Sequence, residues 1–244
     1  MIRDGGFLER LAATDGIIFD KTGTLTTGAL QLGAVELLTP GISRNQVVDI
    51  ATALERGSLH PIAKAFGGGA SLVAEDINVS AGEGVSGRVE GQQYRLGKPG
   101  FAAGTPMPAP PAAGMWLLLA AETPLAWLQL IDEPRAEAAN MVAELLKQGY
   151  SVGLLSGDAA AEGQRIASLL GITDITTDVT PDAKVADVRR RQALGASLLM
   201  VGDGINDAAA MASAHTSIAV SPADVVVQEA ADATLLTNSL NSLL

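Results

Sequence analysis

Cysteine is absent from all 244 residues, so disulfides and thiolate metal sites are excluded. Positive charge is scarce, with 16 Lys and Arg against 27 Asp and Glu for a net charge of −11. That balance argues against a nucleic-acid footprint or a polybasic membrane patch. An acidic chain that handles a phosphate-bearing ligand must gather its few cations at one place or recruit Mg²⁺. The first residues, Met1-Ile2-Arg3-Asp4-Gly5-Gly6, lack the apolar core of a signal peptide. A long apolar run is missing too. Pro99 to Ala121 carries no charge, but Pro99, Pro106, Pro108, Pro110 and Pro111 interrupt it, and only Met115 to Ala121 is continuously apolar. A spanning helix needs about 20 apolar residues in register, so this stretch reads as a proline-rich loop leading into a strand. What remains, 48% hydrophobic and 18% charged, suits a globular chain long enough for two domains.

Residues 126–244 alternate strand-like and helix-like stretches, which predicts a parallel α/β sheet. Trp127 to Ile131 is a candidate strand, and Ala138, Met141, Val142, Leu145 and Leu146 recur at helical spacing before Gly149. Val152 to Leu155 reads as a buried strand ending in Ser156-Gly157-Asp158, followed by a helix closed by Gly171. Thr180-Pro181 opens another helix with a capping hydroxyl and a first-turn proline. Leu198 to Val201 forms a strand that delivers Gly202-Asp203-Gly204. Gly16 to Phe19 is a further apolar strand, ending at Asp20. Residues 33–122 differ: a helix around Val47 to Leu54, a hairpin over Val85 to Leu96 turning at Glu90-Gly91-Gln92, and a strand at Met115 to Ala120. They read as an α+β insertion, giving one domain of residues 1–32 with 123–244 and a second of 33–122.

Polar residues at three strand ends of a parallel sheet converge on one rim, where open α/β sheets bind ligands. Asp20 there suits an in-line nucleophile for phosphoryl transfer, with Thr22, Thr24 and the backbone around Gly23 as hydrogen-bond donors. A carboxylate attacking phosphate must overcome like-charge repulsion, so a cation and Mg²⁺ are expected nearby. Lys184 is the candidate cation and Asp203 a candidate Mg²⁺ ligand.

The motifs D-K-T-G-T-L-T at 20–26, S-G-D at 156–158, T-P-D-A-K at 180–184 and G-D-G-I-N-D at 202–207 resemble the phosphorylation-domain signatures of P-type ATPases, within the haloacid dehalogenase superfamily. The resemblance implies a Rossmann-like parallel sheet domain with an inserted nucleotide-binding domain. It implies Asp20 as phosphoacceptor and Mg²⁺ held by Asp20, the Thr22 carbonyl and Asp203. It further implies Ser156, Gly157 and Lys184 on the phosphoryl group, with Asn206 and Asp207 ordering the site. Phosphatases of this superfamily usually carry a second aspartate two positions after the nucleophile. Here that position is Thr22, so water attack on an acyl phosphate is expected to be slow.

Within the insertion, Ser58-Leu59-His60-Pro61 resembles the S-E-H-P of heavy-metal pumps, which implies His60 orienting ATP. Gly82-Glu83-Gly84-Val85-Ser86-Gly87 resembles their nucleotide loop, which implies Gly82, Gly84 and Gly87 beside the base and ribose, with Lys98 following. Leu59 replaces the usual glutamate, Lys98 a frequent asparagine, and Ala209 a usual proline. The stretch from Trp116 to Asp132 is most similar to copper pumps. The pumps' membrane helices, intramembrane cysteines and T-G-E actuator loop are absent. Gly6 to Leu11 resembles the linker after a membrane helix, and Asn238 to Leu244 ends near where the next would begin. The implied protein is the ATP- and Mg²⁺-using catalytic unit of a copper-type P-type ATPase. It would be monomeric as a fragment, and would lie on the cytoplasmic side of the inner membrane beside the pump's membrane and actuator domains. The alternative is a phosphomonoester phosphatase whose insertion serves as a cap.

Overall fold

The computed structural model describes residues 1–3, 5–56, 58, 61–67, 71–103, 108–203, 207–220, 230–237 and 239–244. The chain divides into two compact units, Met1–Gly28 with Glu133–Leu244, and Ala29–Asp132.

The first unit is built on six strands. These are β1 (Gly16–Phe19), β8 (Ser151–Leu155), β9 (Asp174–Thr176), β10 (Leu198–Gly202), β11 (Thr216–Ala219) and β12 (Ala233–Thr234). Their spatial order is β12-β11-β10-β1-β8-β9 and every pairing is parallel. The chain runs outward from β1 through β8 to β9, then crosses to β10 on the other side. The ends of β1 and β10 therefore flank the topological switch point, where such sheets bind ligands. Because helices cover both faces, β1, β10 and β11 are buried along their whole length. Side chains alternate between two cores. Ile17, Phe19, Leu154 and Val201 pack with Met141 and Val142 of α5 (Ala138–Lys147) and Ile166 of α6 (Ala160–Leu170). Ile18, Leu155, Leu198 and Met200 pack with Val188 of α7 (Pro181–Ala193) and Met211 of α8 (Ala208–Ser213). Helix α1 (Phe7–Ala12) covers most of the Gly6 to Leu11 stretch expected as a linker, with Phe7 in the first core.

The second unit carries an antiparallel sheet ordered β2-β7-β6-β5-β4-β3. Its strands are β2 (Thr26–Leu37), β3 (Ala74–Ser80), β4 (Gly84–Val89), β5 (Gln92–Gly97), β6 (Met115–Ala120) and β7 (Pro124–Pro134). The hairpin joining β4 to β5 turns at Glu90-Gly91, both with positive φ (51° and 80°), the conformation that matches strand twist in a two-residue loop. Helix α2 (Arg44–Glu55) starts with a reciprocal Ser43–Gln46 capping box and buries Val47, Ile50, Ala51 and Leu54 against Val85, Leu96, Leu119 and Leu128. Leu118, Ala120 and Trp127 pack on the opposite face with Ala102 of the short helix Pro99–Ala102. The proline-rich stretch thus opens with that helical turn and runs into β6.

Two readings of the sequence change. Trp127 to Ile131 belongs to β7 of this antiparallel sheet, not to the parallel one. Only residues 121–123 separate β6 from β7, far short of a parallel crossover, and Leu118 pairs with Trp127. The expected borders at 32/33 and 122/123 accordingly lie inside β2 and just ahead of β7, whereas the compact units part at 28/29 and 132/133. Among the described residues no helix is long and apolar enough to cross a membrane.

Leu154, on β8 between β1 and the edge strand β9, is 1% exposed. Leu154→Ala should cost about 2–5 kcal/mol, lowering the urea midpoint of this unit with little change in slope. An unchanged midpoint would contradict the packing described.

Candidate functional site

Register places the site. Phe19 lies opposite Val201 on one side and Leu154 on the other, so Asp20, Asp203 and Ser156 all emerge within two residues of one line across three strands. The Asp20 amide still bonds the Val201 carbonyl at 2.9 Å, which fixes the nucleophile candidate at the strand end. The chain then makes a wide turn over Lys21–Leu25. Gly23 sits there at φ 73°, and a Cβ would overlap the Asp203 carboxylate, so both backbone conformation and space demand glycine. Thr26 Oγ1 closes the turn, accepting from the Gly23 amide at 3.3 Å and donating to the Lys21 carbonyl at 3.1 Å. Buried Arg135 clamps it from outside, donating to the Gly23 and Thr24 carbonyls at 2.6 and 2.7 Å.

Thr180 caps α7 by accepting from the Ala183 amide at 3.3 Å, and Lys184 follows within the first turn. Its Nζ donates to Asp20 Oδ1 at 2.5 Å and to Asp207 Oδ1 at 2.6 Å. Carboxylate oxygens of Asp20, Asp203 and Asp207 lie within 4.8 Å of one another. Lys184 thus bonds two of three clustered acids, with Asp203 beside them. Burial and then the neighbouring Asp207 push Asp20 up to about 7, against the pull of Lys184. The same two causes push Asp203 up to about 6, with Arg135 opposing. Burial would lower Lys184, but Asp20 and Asp207 together hold it above the ordinary lysine value. Clustered hard oxygen donors with too little positive charge are a donor set that suits Mg²⁺.

A second cluster joins the loops after β1 and β8. Asp158 Oδ2 accepts from Ser156 Oγ and Thr22 Oγ1, each at 3.1 Å, and lies 3.0 Å from Lys21 Nζ. Burial pushes the Asp158 carboxyl up, but Lys21 and the two hydroxyls hold it below the usual carboxylate range.

Asp20, Thr22, Ser156, Gly157, Lys184, Asp203 and Asp207 line one cleft of about 610 Å³, together with Asp158, Val179 and Pro181. Seven expected site residues are thus in one place; Asn206 lies outside the described residues. Thr24 does not join them. Its Oγ1 is buried, has no hydrogen-bond partner among the described residues and does not line the cleft, so its assignment as a phosphoryl donor is not supported. Sequence reasoning missed Arg135, whose only signal is a charge just past Pro134. It also passed over Lys21 and Asp158, which stood inside quoted motifs without a role.

In the other unit His60 lies outside the described residues. Gly82, at φ 73°, is an open turn with nothing near its Cβ position. Gly84 faces Gly97 across the β4–β5 pair, where a Cβ on either would strike the other's backbone. Gly87 leaves room for Leu54, 3.1 Å from where its Cβ would stand. Lys98 is exposed and lies 3.7 Å from Glu83.

A carboxylate past the first strand, a lysine from a later helix and an acidic pair past a fourth strand thus form one acidic cleft at the rim of a Rossmann-like sheet. The chain belongs to the haloacid dehalogenase-like hydrolase family, which it matches over residues 14–215. It is 35% identical, over its full length, to the "Probable copper-transporting ATPase SynA" of a Synechococcus strain, of which it spans 32%. Among solved structures it is similar to a zinc-transporting PIB-type ATPase in the E2.Pi state, with a TM-score of 0.87 and 31% identity over 100% of this chain and 42% of that one. It also matches the catalytic domain of the CPx-ATPase CopB-B, a domain that changes conformation upon nucleotide binding. There the TM-score is 0.80 and identity 26%, covering 100% of this chain and 93% of that one. Its homologues are therefore heavy-metal P-type ATPases, of which it spans about a third, and its structural neighbours are their catalytic domains.

The raised acids fix a pH dependence. Unfolded Asp20 and Asp203 release their protons near 3.8, whereas folded they hold them to about 7 and 6. Between those values the folded state binds more protons, so stability falls as pH rises from about 4 to 7. Without divalent cation, the denaturant midpoint should drop over this range, less so in Asp203→Asn, and Mg²⁺ should restore more stability at pH 7 than at pH 5. Equal slopes in the two proteins would contradict the shared-cation picture.

Proposed function

We propose that this chain is the ATP-binding and phosphorylation part of a heavy-metal P-type ATPase of the copper type. The observation that carries the reading is the meeting of Asp20, Lys184 and Asp203 in one cleft. ATP bound through the insertion, at His60, the Gly82 to Gly87 loop and Lys98, donates its terminal phosphoryl group to Asp20, and ADP leaves. Lys184 draws charge from the phosphoryl oxygens, Ser156 and the Gly157 backbone hold them, and Asp207 with Asn206 keeps Lys184 and the neighbouring acids in place. Asp20, the Thr22 carbonyl and Asp203 would hold Mg²⁺, which when bound offsets the negative charge of the acids and the incoming phosphate. The acyl phosphate at Asp20 then drives the conformational cycle of a longer pump, whose membrane and actuator domains are this chain's partners at the cytoplasmic face of the membrane. The acid–base aspartate that phosphatases of this superfamily usually carry two positions after the nucleophile is replaced here by Thr22, which disfavours the rival reading as a phosphomonoester phosphatase with a cap.

ATP radiolabelled at its terminal phosphate should transfer an acid-stable, hydroxylamine-labile label to the wild-type chain and none to Asp20→Asn. Rapid, metal-dependent hydrolysis of small phosphate esters without such a label would favour the phosphatase. Nucleotide binding by calorimetry should weaken on the order of tenfold in His60→Ala, the loss of one hydrogen bond to a charged group. Binding untouched by that change would remove His60 from the nucleotide site.

A further inference from the structure

The reading of Asp20 as phosphoacceptor requires its acyl phosphate to survive beside water. Position 22, where an acid–base aspartate would stand, holds threonine. Yet a carboxylate occupies the neighbouring space. Asp158 Oδ2 is 3.1 Å from Thr22 Oγ1, and both residues line the cleft that contains Asp20. The Asp158 side chain is 44% exposed, so water reaches it. A carboxylate so placed is chemically able to take a proton from an attacking water. The replacement at position 22 alone therefore does not account for a long-lived phosphoenzyme.

What sets Asp158 apart is how completely one of its oxygens is occupied. Oδ2 accepts from Thr22 Oγ1 and Ser156 Oγ, and the Lys21 ammonium lies 3.0 Å from the same atom. Lys21 has a side chain only 5% exposed and does not line the cleft, so it approaches Asp158 from the protein interior. A surface ion pair of this length would contribute little. With one partner buried, the pair is instead held in a fixed geometry.

We propose that Lys21 lengthens the lifetime of the phosphoenzyme by occupying Asp158 Oδ2, the oxygen beside Thr22, and so withholding that oxygen as proton acceptor for an attacking water. This rests on Asp20 being the phosphoacceptor. In the reaction that Lys21 suppresses, a water oxygen bonds to phosphorus, the bond from phosphorus to the Asp20 carboxyl oxygen breaks, and Asp20 leaves as carboxylate. The proton released by the water passes to Asp158, and inorganic phosphate departs. Lys21 acts through Asp158 and touches no reacting atom, which makes it a positioning residue.

The test follows decay of the phosphoenzyme after labelling the whole chain with radiolabelled ATP and chasing with unlabelled ATP. Lys21→Gln should lose label several-fold faster than wild type. Lys21→Arg, which keeps the cation, should retain the slow decay. The double variant Lys21→Gln with Asp158→Asn should return to the wild-type rate, an outcome that general destabilisation by Lys21→Gln would not produce. Decay of Lys21→Gln at or below the wild-type rate, or a double variant as fast as the single, would overturn the proposal. Where Lys21→Gln takes no label from ATP, acetyl phosphate serves as donor and bypasses the nucleotide site. Failure to label from either donor would show that Lys21 forms the phosphoenzyme rather than preserving it, and the proposal would fail. A wild-type chain that takes no label would instead overturn the assignment of Asp20.

Discussion

One buried ammonium holds the site together. Lys184 bonds Asp20 and Asp207 at once, tying the loop after β1 to the start of α8 through a residue on α7. Removing one partner from such a pair leaves an uncompensated buried charge, a penalty of about 3–5 kcal/mol. The arrangement is still short of positive charge, because Asp203 adds a third carboxylate and Arg135 faces backbone carbonyls. That deficit is built in by the parallel sheet, which aims acids from neighbouring strands at one rim. A site with this imbalance suits a divalent cation, which would offset the excess of acids.

The turn after Asp20 shows how tightly backbone and charge are coupled. Gly23 is needed both for its positive φ and because the Asp203 carboxylate fills the space a side chain would take. Arg135 then fixes the two carbonyls that follow. Within this motif Gly23 is pressed against Asp203 and Thr22 bonds Asp158, both from distant parts of the chain, while Thr26 closes the turn on itself.

Much of this was legible in the sequence for definite physical reasons. The strands at Gly16–Phe19, Val152–Leu155 and Leu198–Val201 are short apolar runs ending in polar residues, the mark of parallel strands buried on both faces. The capped start of α7 placed Lys184 on its first turn. Trp127 to Ile131 misled because an apolar strand looks the same in either sheet; only its three-residue spacing from β6 reveals the antiparallel hairpin. β9, β11 and β12 went unread, being two to four residues long with little periodicity to detect. Thr24 looked like a phosphoryl donor by proximity to Asp20, yet the turn at Gly23 directs it into the interior. Arg135 was invisible because the contacts by which it clamps the turn are to the main-chain carbonyls of Gly23 and Thr24, which carry no residue identity.

On the proposed function, Asp20, Lys184 and Asp203 surround one phosphoryl group. A crystal structure of the chain with Mg²⁺ and beryllium fluoride, which mimics an aspartyl phosphate, tests this most directly. The fluoride adduct should form on an Asp20 carboxyl oxygen, with Lys184 on its fluorines and the metal between Asp20 and Asp203. An adduct on another carboxylate, or a metal held away from Asp203, would contradict it.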